Sequence, residues 1–392
     1  PTNVPYTYRL LMENIRDLKN KYSFLQVGSI GNSVLGKNIP YIKLGNGSKE
    51  TMYFASIHAN EWITSVLLMK FIENFCIQYV AGGSIYGYNA RELFSQVSLY
   101  IVPMLNPDTV DLVTGFLKPG DPIYENYRFI SNNFPQIPFP SGWKANFNGV
   151  DLNLQFPAGW ENARRIKFEQ GFNKPSPRDF VGYGPLTEPE SLAIYNFTLA
   201  HNFNLTIAYH TQGRVIFWKY LDYLPPYSYE IGNYFAQSSG YSLETTPYAS
   251  SFAGYKDWFI SAYNRPGYTI EAGLGENPLP ISQFDTIYKE NEGILVLVST
   301  LLVSYTIIKI ANISFVKKYT KKIVSYLYNF AFIDVLLISL ILFIIILGFL
   351  LIKNFNDLTT ELLIFLVLIL TGFSTFIFLL YVSQNYETKD FI

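Results

Sequence analysis

Four residues carry the chemical interest of this chain: His58, Glu61, His210 and Glu271. His58 and Glu61 lie in Ser56-Ile57-His58-Ala59-Asn60-Glu61-Trp62, between an apolar run, residues 52–55, and a helix-like stretch, residues 63–79. A strand that gives way to a turn here presents both side chains at its carboxyl end, where α/β folds place chemistry. Imidazole nitrogen and carboxylate oxygen both ligate zinc, so the pair can turn onto one Zn²⁺. Alone, the pair reads as readily as a strand-end His beside a solvated Glu. A metal centre needs a third ligand, and His58, His201 and His210 are the only histidines. His201 falls inside a predicted helix and reads as structural. His210 closes the apolar run 205–209, and Glu271 closes another that ends in Thr269-Ile270. Two His and one Glu leave zinc an open position for water. Glu271 is then the carboxylate placed to take a proton from that water.

Three predicted strand ends thus present His58, His210 and Glu271, and the rest of the chain must position them. Apolar residues at helical spacing (Leu10, Met12, Ile15, Leu18) predict an amphipathic helix over 6–22. Residues 25–30 and 39–44 read as strands joined by Gly-rich turns. Strands at 52–57 and 97–104 flank the helix at 63–79, and the second runs into the turn-forming Asn106-Pro107-Asp108. Residues 119–141, rich in Pro, Asn and Gly, read as a long cleft-lining loop. Thr187-Glu188-Pro189-Glu190 has the pattern of a capping box, with Thr187 as N-cap, before a helix over 188–201. Alternating strands and helices predict an α/β fold: a mixed, largely parallel twisted sheet with helices on both faces.

Composition narrows the classes. A net charge of −1 over 392 residues gives no reason to expect a nucleic-acid partner. Cys76 is the one cysteine, which excludes an intramolecular disulfide and any multi-cysteine metal site. Aromatic residues make up 17% of the chain, enough for a large core or a ring-lined cleft. The sequence opens on Pro1, so an upstream segment, a signal peptide or binding module, is expected. Beyond residue 303 the character changes. Residues 304–330 form a basic linker with Lys309, Lys317, Lys318, Lys321 and Lys322. Residues 331–392 contain two charge-free apolar runs, 335–352 and 362–382. Each approaches the roughly 20 residues of helix that cross a bilayer. They predict a transmembrane hairpin after a catalytic domain at 1–303; the competing reading is a pair of buried helices.

The ordered set of motifs resembles the M14 zinc carboxypeptidase family over roughly residues 6–303. His58-x-x-Glu61 and the distal His210 match its zinc ligands, and Glu271 matches its general base. Asn106-Pro107-Asp108 and Asn148-Gly149-Val150-Asp151-Leu152-Asn153 match two further segments. The resemblance implies one zinc ion and an oxyanion-stabilising cation after Trp143, where the family usually has Arg and this chain has Lys144. A lysine can serve as a point charge; the competing reading is an ordinary surface lysine. Asn153 and Tyr248 match substrate-binding positions.

The sequence departs from the family at Leu154. Typical carboxypeptidases place Arg after the Asn, and that pair holds the substrate's terminal carboxylate. Leucine cannot. The surrounding run, with His210-Thr211-Gln212-Gly213 and the segment from Glu271 to Pro280, is similar to the bacterial γ-D-glutamyl-L-diamino acid endopeptidase branch. That resemblance implies cleavage of the γ-D-glutamyl to diaminopimelate bond in peptidoglycan stem peptides, often with LysM modules upstream. The alternatives are a metallocarboxypeptidase and a non-catalytic wall-peptide binder held at the membrane by its hairpin. The lysine cluster favours a cytoplasmic domain by the positive-inside tendency. The wall substrate favours an extracytoplasmic one, which is the expectation adopted.

Overall fold

The computed structural model describes residues 1–298. The expected linker at 304–330 and spans at 335–352 and 362–382 lie outside the described residues. The strands are β1 (Gln26–Asn32), β2 (Asn38–Leu44), β3 (Lys49–Ala55), a two-residue hairpin of β4 (Ser84–Ile85) and β5 (Tyr88–Asn89), β6 (Val97–Val102), β7 (Phe203–His210), β8 (Val215–Phe217), β9 (Ser242–Glu244) and β10 (Gly267–Glu271). Eight of them form one sheet in the order β1-β2-β6-β3-β7-β10-β8-β9. β6, β3, β7 and β10 run parallel at its centre. β2 pairs antiparallel with β6, and β8 antiparallel with β10. The sheet is mixed and largely parallel, as expected.

Central strands covered on both faces read as near-continuous apolar runs, and all six residues of β6, Ser98 among them, are buried. Side chains that alternate along β3 enter two separate cores. Tyr53 and Ala55 pack with the helices Tyr8–Lys21, Ile63–Ala81 and Ser228–Ser239. Met52 and Phe54 pack with the helices Trp160–Glu169, Pro189–Leu199 and Tyr255–Tyr263. Helices therefore cover both faces. Among the described residues, Ile63–Ala81 alone is long and apolar enough to cross a membrane, and it is a core helix with Leu67, Leu68 and Ile72 fully buried.

Two local expectations are corrected. Residues 119–141 do not form a bare loop, because Pro122–Ser131 is helical. Asp121 caps it, its carboxylate accepting the Ile123 N–H at 2.8 Å, with Pro122 in the first turn. That Asp-Pro start signal is legible in sequence. The capping box does not form either. Glu188 is the N-cap of Pro189–Leu199 and makes no side-chain cap bond. The Thr187 hydroxyl donates instead to Gln155 Oε1 at 3.1 Å. Glu190 turns into the core to accept the Val34 N–H at 3.0 Å. Tertiary partners outcompete the local cap.

Candidate metal centre

The carboxyl ends of β3, β7 and β10 lie side by side, and each delivers a functional residue. β3 ends at Ala55, and Ser56 turns the chain with a φ of +49°. The turn is secured by Thr64 Oγ1, which accepts the Ser56 N–H at 3.2 Å. His58 then precedes a single 3-10 turn, Ala59–Glu61, which swings Glu61 back beside it. His210 is the last residue of β7, and Glu271, the last of β10, is its partner in the parallel register. Asn106 ties the neighbouring segment in place, donating to the carbonyls of Ile57 at 3.3 Å and Ala145 at 3.0 Å.

These elements bring three predicted ligands together. Ligand atoms of His58, Glu61 and His210 all lie within 4.8 Å of one another, and all three residues are buried. His58 Nδ1 is 3.0 Å from Glu61 Oε1, and His210 Nδ1 is 2.9 Å from Glu61 Oε2. The two imidazole Nδ1 atoms face each other at 3.2 Å. On its far side, His58 Nε2 lies 3.1 Å from Asp151 Oδ1. A carboxylate there holds the proton on Nε2 and leaves the Nδ1 lone pair facing inward, which is how ligating histidines are usually oriented. Two imidazole nitrogens and a carboxylate turned onto one point make a donor set suited to zinc. The residues present fit the ion.

The charges agree. Burial would raise the Glu61 carboxyl, but Lys144, His58 and His210 hold it well below the usual carboxylate range. Burial would likewise lower His58, yet Glu61 and Asp151 outweigh it and push it up to about 9. Burial raises the Glu271 carboxyl, and Glu61 adds to the rise while His210 opposes it. Lys144 is raised because Glu61 overcomes its burial, and its Nζ donates to Glu61 Oε1 at 3.0 Å.

A cleft of about 810 Å³ opens onto the cluster and is lined by His58, His210, Lys144, Asn153, Leu154 and Glu271 among others. Asn153 Oδ1 accepts the Tyr255 N–H at 3.1 Å. Tyr248 stands apart at 64% exposed, its ring edge-on to Phe252. His201 pairs with Glu50 at 3.3 Å and stacks on Phe203, away from the cluster. Sequence reasoning missed four cleft residues. Asp151 sits inside a motif already noted, and its spacing carries no sign that it meets His58. Arg178 and the buried Lys256–Asp257 ion pair have no sequence signal at all.

A mixed α/β sheet with a His-Glu-His cluster and a partly buried carboxylate at its strand ends defines a metal-dependent hydrolytic class. The chain belongs to the zinc carboxypeptidase family, peptidase M14, which it matches over residues 11–293. It is thus a zinc metallopeptidase. It is 47% identical to gamma-D-glutamyl-L-diamino acid endopeptidase 1 of Lysinibacillus sphaericus, over 74% of this chain and 71% of that one. It is 38% identical to an uncharacterized protein, YqgT, of Bacillus subtilis (strain 168), over 72% of this chain and 74% of that one. In fold it resembles the carboxypeptidase A of Helicoverpa armigera, with a TM-score of 0.56 and 21% identity, over 76% of this chain and 73% of that one.

Proposed function

We propose that this protein hydrolyses the γ-D-glutamyl to diamino acid bond of peptidoglycan stem peptides. The observation that carries the reading is Leu154, which lines the cleft beside Asn153 where a carboxypeptidase needs an arginine fork for a free C-terminus. The name of the Lysinibacillus sphaericus relative supports the same bond. His58, Glu61 and His210 would hold the zinc ion. When bound, zinc supplies a Lewis acid that makes water nucleophilic near neutral pH. Glu271 takes the proton of the attacking water and delivers it to the leaving amine. Its raised pKa suits a group that must both accept and donate. Lys144 sits at the edge of the cluster and stabilises charge on the carbonyl oxygen. Asn153 positions the substrate from the cleft wall, and Tyr248 would reach it from the rim.

The charge-free runs 335–352 and 362–382 support anchoring by a C-terminal membrane hairpin joined to the catalytic domain by the basic 304–330 linker. A wall substrate favours a catalytic domain outside the cytoplasm, the reading adopted here. Two measurements test these readings. The full chain should release diaminopimelate from L-Ala-γ-D-Glu-meso-diaminopimelate in a chelator-sensitive way, followed by mass spectrometry. Cleavage of plain C-terminal peptides instead would make it a carboxypeptidase, and cleavage of neither would leave a binder. Protease protection of the domain in intact protoplasts would overturn the outward topology.

A further inference from the structure

The loop at 176–180 braces the metal centre from outside. The Pro177 carbonyl accepts the N–H groups of Lys144 at 2.8 Å and Ala145 at 2.9 Å. The Asp179 N–H donates to Asp151 Oδ2 at 3.2 Å, and the Phe180 carbonyl accepts the Asp151 N–H at 2.8 Å. Asp179 adopts a φ of +66°, a left-handed conformation uncommon outside glycine. Arg178 is therefore fixed relative both to Lys144 and to the carboxylate that orients His58.

Its side chain lines the cleft and is 43% exposed. Nε donates to Asp179 Oδ2 at 2.6 Å, while Lys167 Nζ donates to the other Asp179 oxygen at 2.5 Å. One carboxylate is thus shared by two cations. Three lysines also line the cleft, and each is met by a carboxylate: Lys144 by Glu61, Lys167 by Asp179, Lys256 by Asp257. A lysine so paired offers a point contact at most. Among the described residues, the Nη groups of Arg178 make no hydrogen bond to protein, and together they present the planar fork that matches a carboxylate.

We propose that Arg178 binds the free α-carboxylate of the D-glutamyl residue and so selects the γ-linkage. An α-linked glutamyl residue consumes that carboxylate in its amide bond, whereas a γ-linked one leaves it free on the acyl side of the scissile carbonyl. On the proposed mechanism Lys144 stabilises that carbonyl oxygen, and the Pro177 carbonyl, next in the chain to Arg178, accepts the Lys144 N–H at 2.8 Å, which ties the backbone carrying the fork to that of Lys144. The inference rests on the proposed activity.

The test compares L-Ala-γ-D-Glu-meso-diaminopimelate with its D-isoglutamine counterpart, in which the α-carboxylate is a carboxamide. Full-length wild type should favour the acid in kcat/KM by roughly 10- to 100-fold, the worth of a charged hydrogen-bonded pair. Arg178→Gln should remove most of that preference, lowering kcat/KM on the acid far more than on the amide. Arg178→Lys, which keeps the charge without the fork, should fall between. Zinc content and melting temperature report that both variants fold. An acid preference that survives in Arg178→Gln, equal losses on both substrates, or a wild type without preference would each overturn the role of Arg178. Cleavage of neither substrate by wild type removes the activity reading and this role with it.

Discussion

Glu61 and Glu271 face the same two histidines, yet their surroundings drive them apart. Glu61, beside Lys144, is held ionised as a ligand must be. Glu271, raised by burial, is suited to moving a proton. On the proposed mechanism, two carboxylates pushed in opposite directions divide the acid–base and electrostatic roles between them. Glu271→Gln keeps the shape of the side chain and removes its basicity, so turnover should fall at least about 10²-fold while zinc content stays whole. Unchanged kcat would take Glu271 out of the reaction. Asp151 acts one step further away, through His58 Nε2. Asp151→Asn should weaken zinc binding by roughly 10- to 100-fold in a chelator competition. A variant that holds zinc as tightly as wild type would make that contact structural only.

At the scale of elements, the helix Pro189–Leu199 is joined to the rest of the fold by a buried carboxylate rather than by its expected cap. Glu190 is fully buried, accepts the Val34 N–H, and takes the Asn146 amide at 3.1 Å. Burial pushes its carboxyl up to about 7 from 4.5, against the lowering effect of those two donors. The folded state therefore holds this proton more tightly than the unfolded chain does. Its contribution is fully present below about pH 4.5 and is lost as pH rises to about 7, a change on the order of 3 kcal/mol. Glu190→Gln should flatten the loss of stability between those limits, read from urea midpoints across the pH range. Parallel profiles for variant and wild type would assign the dependence elsewhere. The same residue shows where sequence is legible and where it is not. Strand ends at His58, His210 and Glu271 were readable, because apolar runs and following turns are local signals. The Glu190 side chain chose a partner 156 positions away, which no local pattern encodes. Asp151, 93 positions from His58, escaped notice for the same reason. The helix Pro122–Ser131 is a different kind of miss, since its Asp-Pro start was local and was outweighed by the Pro and Gly around it.

At the scale of the molecule, the metal cluster couples strands that the chain reaches far apart. His58 and Glu61 follow β3, His210 ends β7, and these two strands are neighbours at the centre of the sheet, between its two cores. An unfolded chain keeps His58 and Glu61 close but loses His210, so it cannot present the full ligand set. Whatever zinc contributes to binding it therefore contributes largely to folding. At free zinc about 1,000 times the dissociation constant, the stabilisation is about 4 kcal/mol. For a domain of this size that corresponds to a change in melting temperature on the order of 10 °C. Removing zinc with a chelator should lower the melting temperature of the full chain by that order, and restoring zinc should reverse it. His210→Ala should begin lower and respond far less to the chelator, because the ligand that joins β7 to β3 is gone. Calorimetry alongside atomic absorption separates loss of metal from loss of fold. If the wild type gives up its zinc and melts where it did before, the cluster does not hold the two strands together and serves chemistry alone.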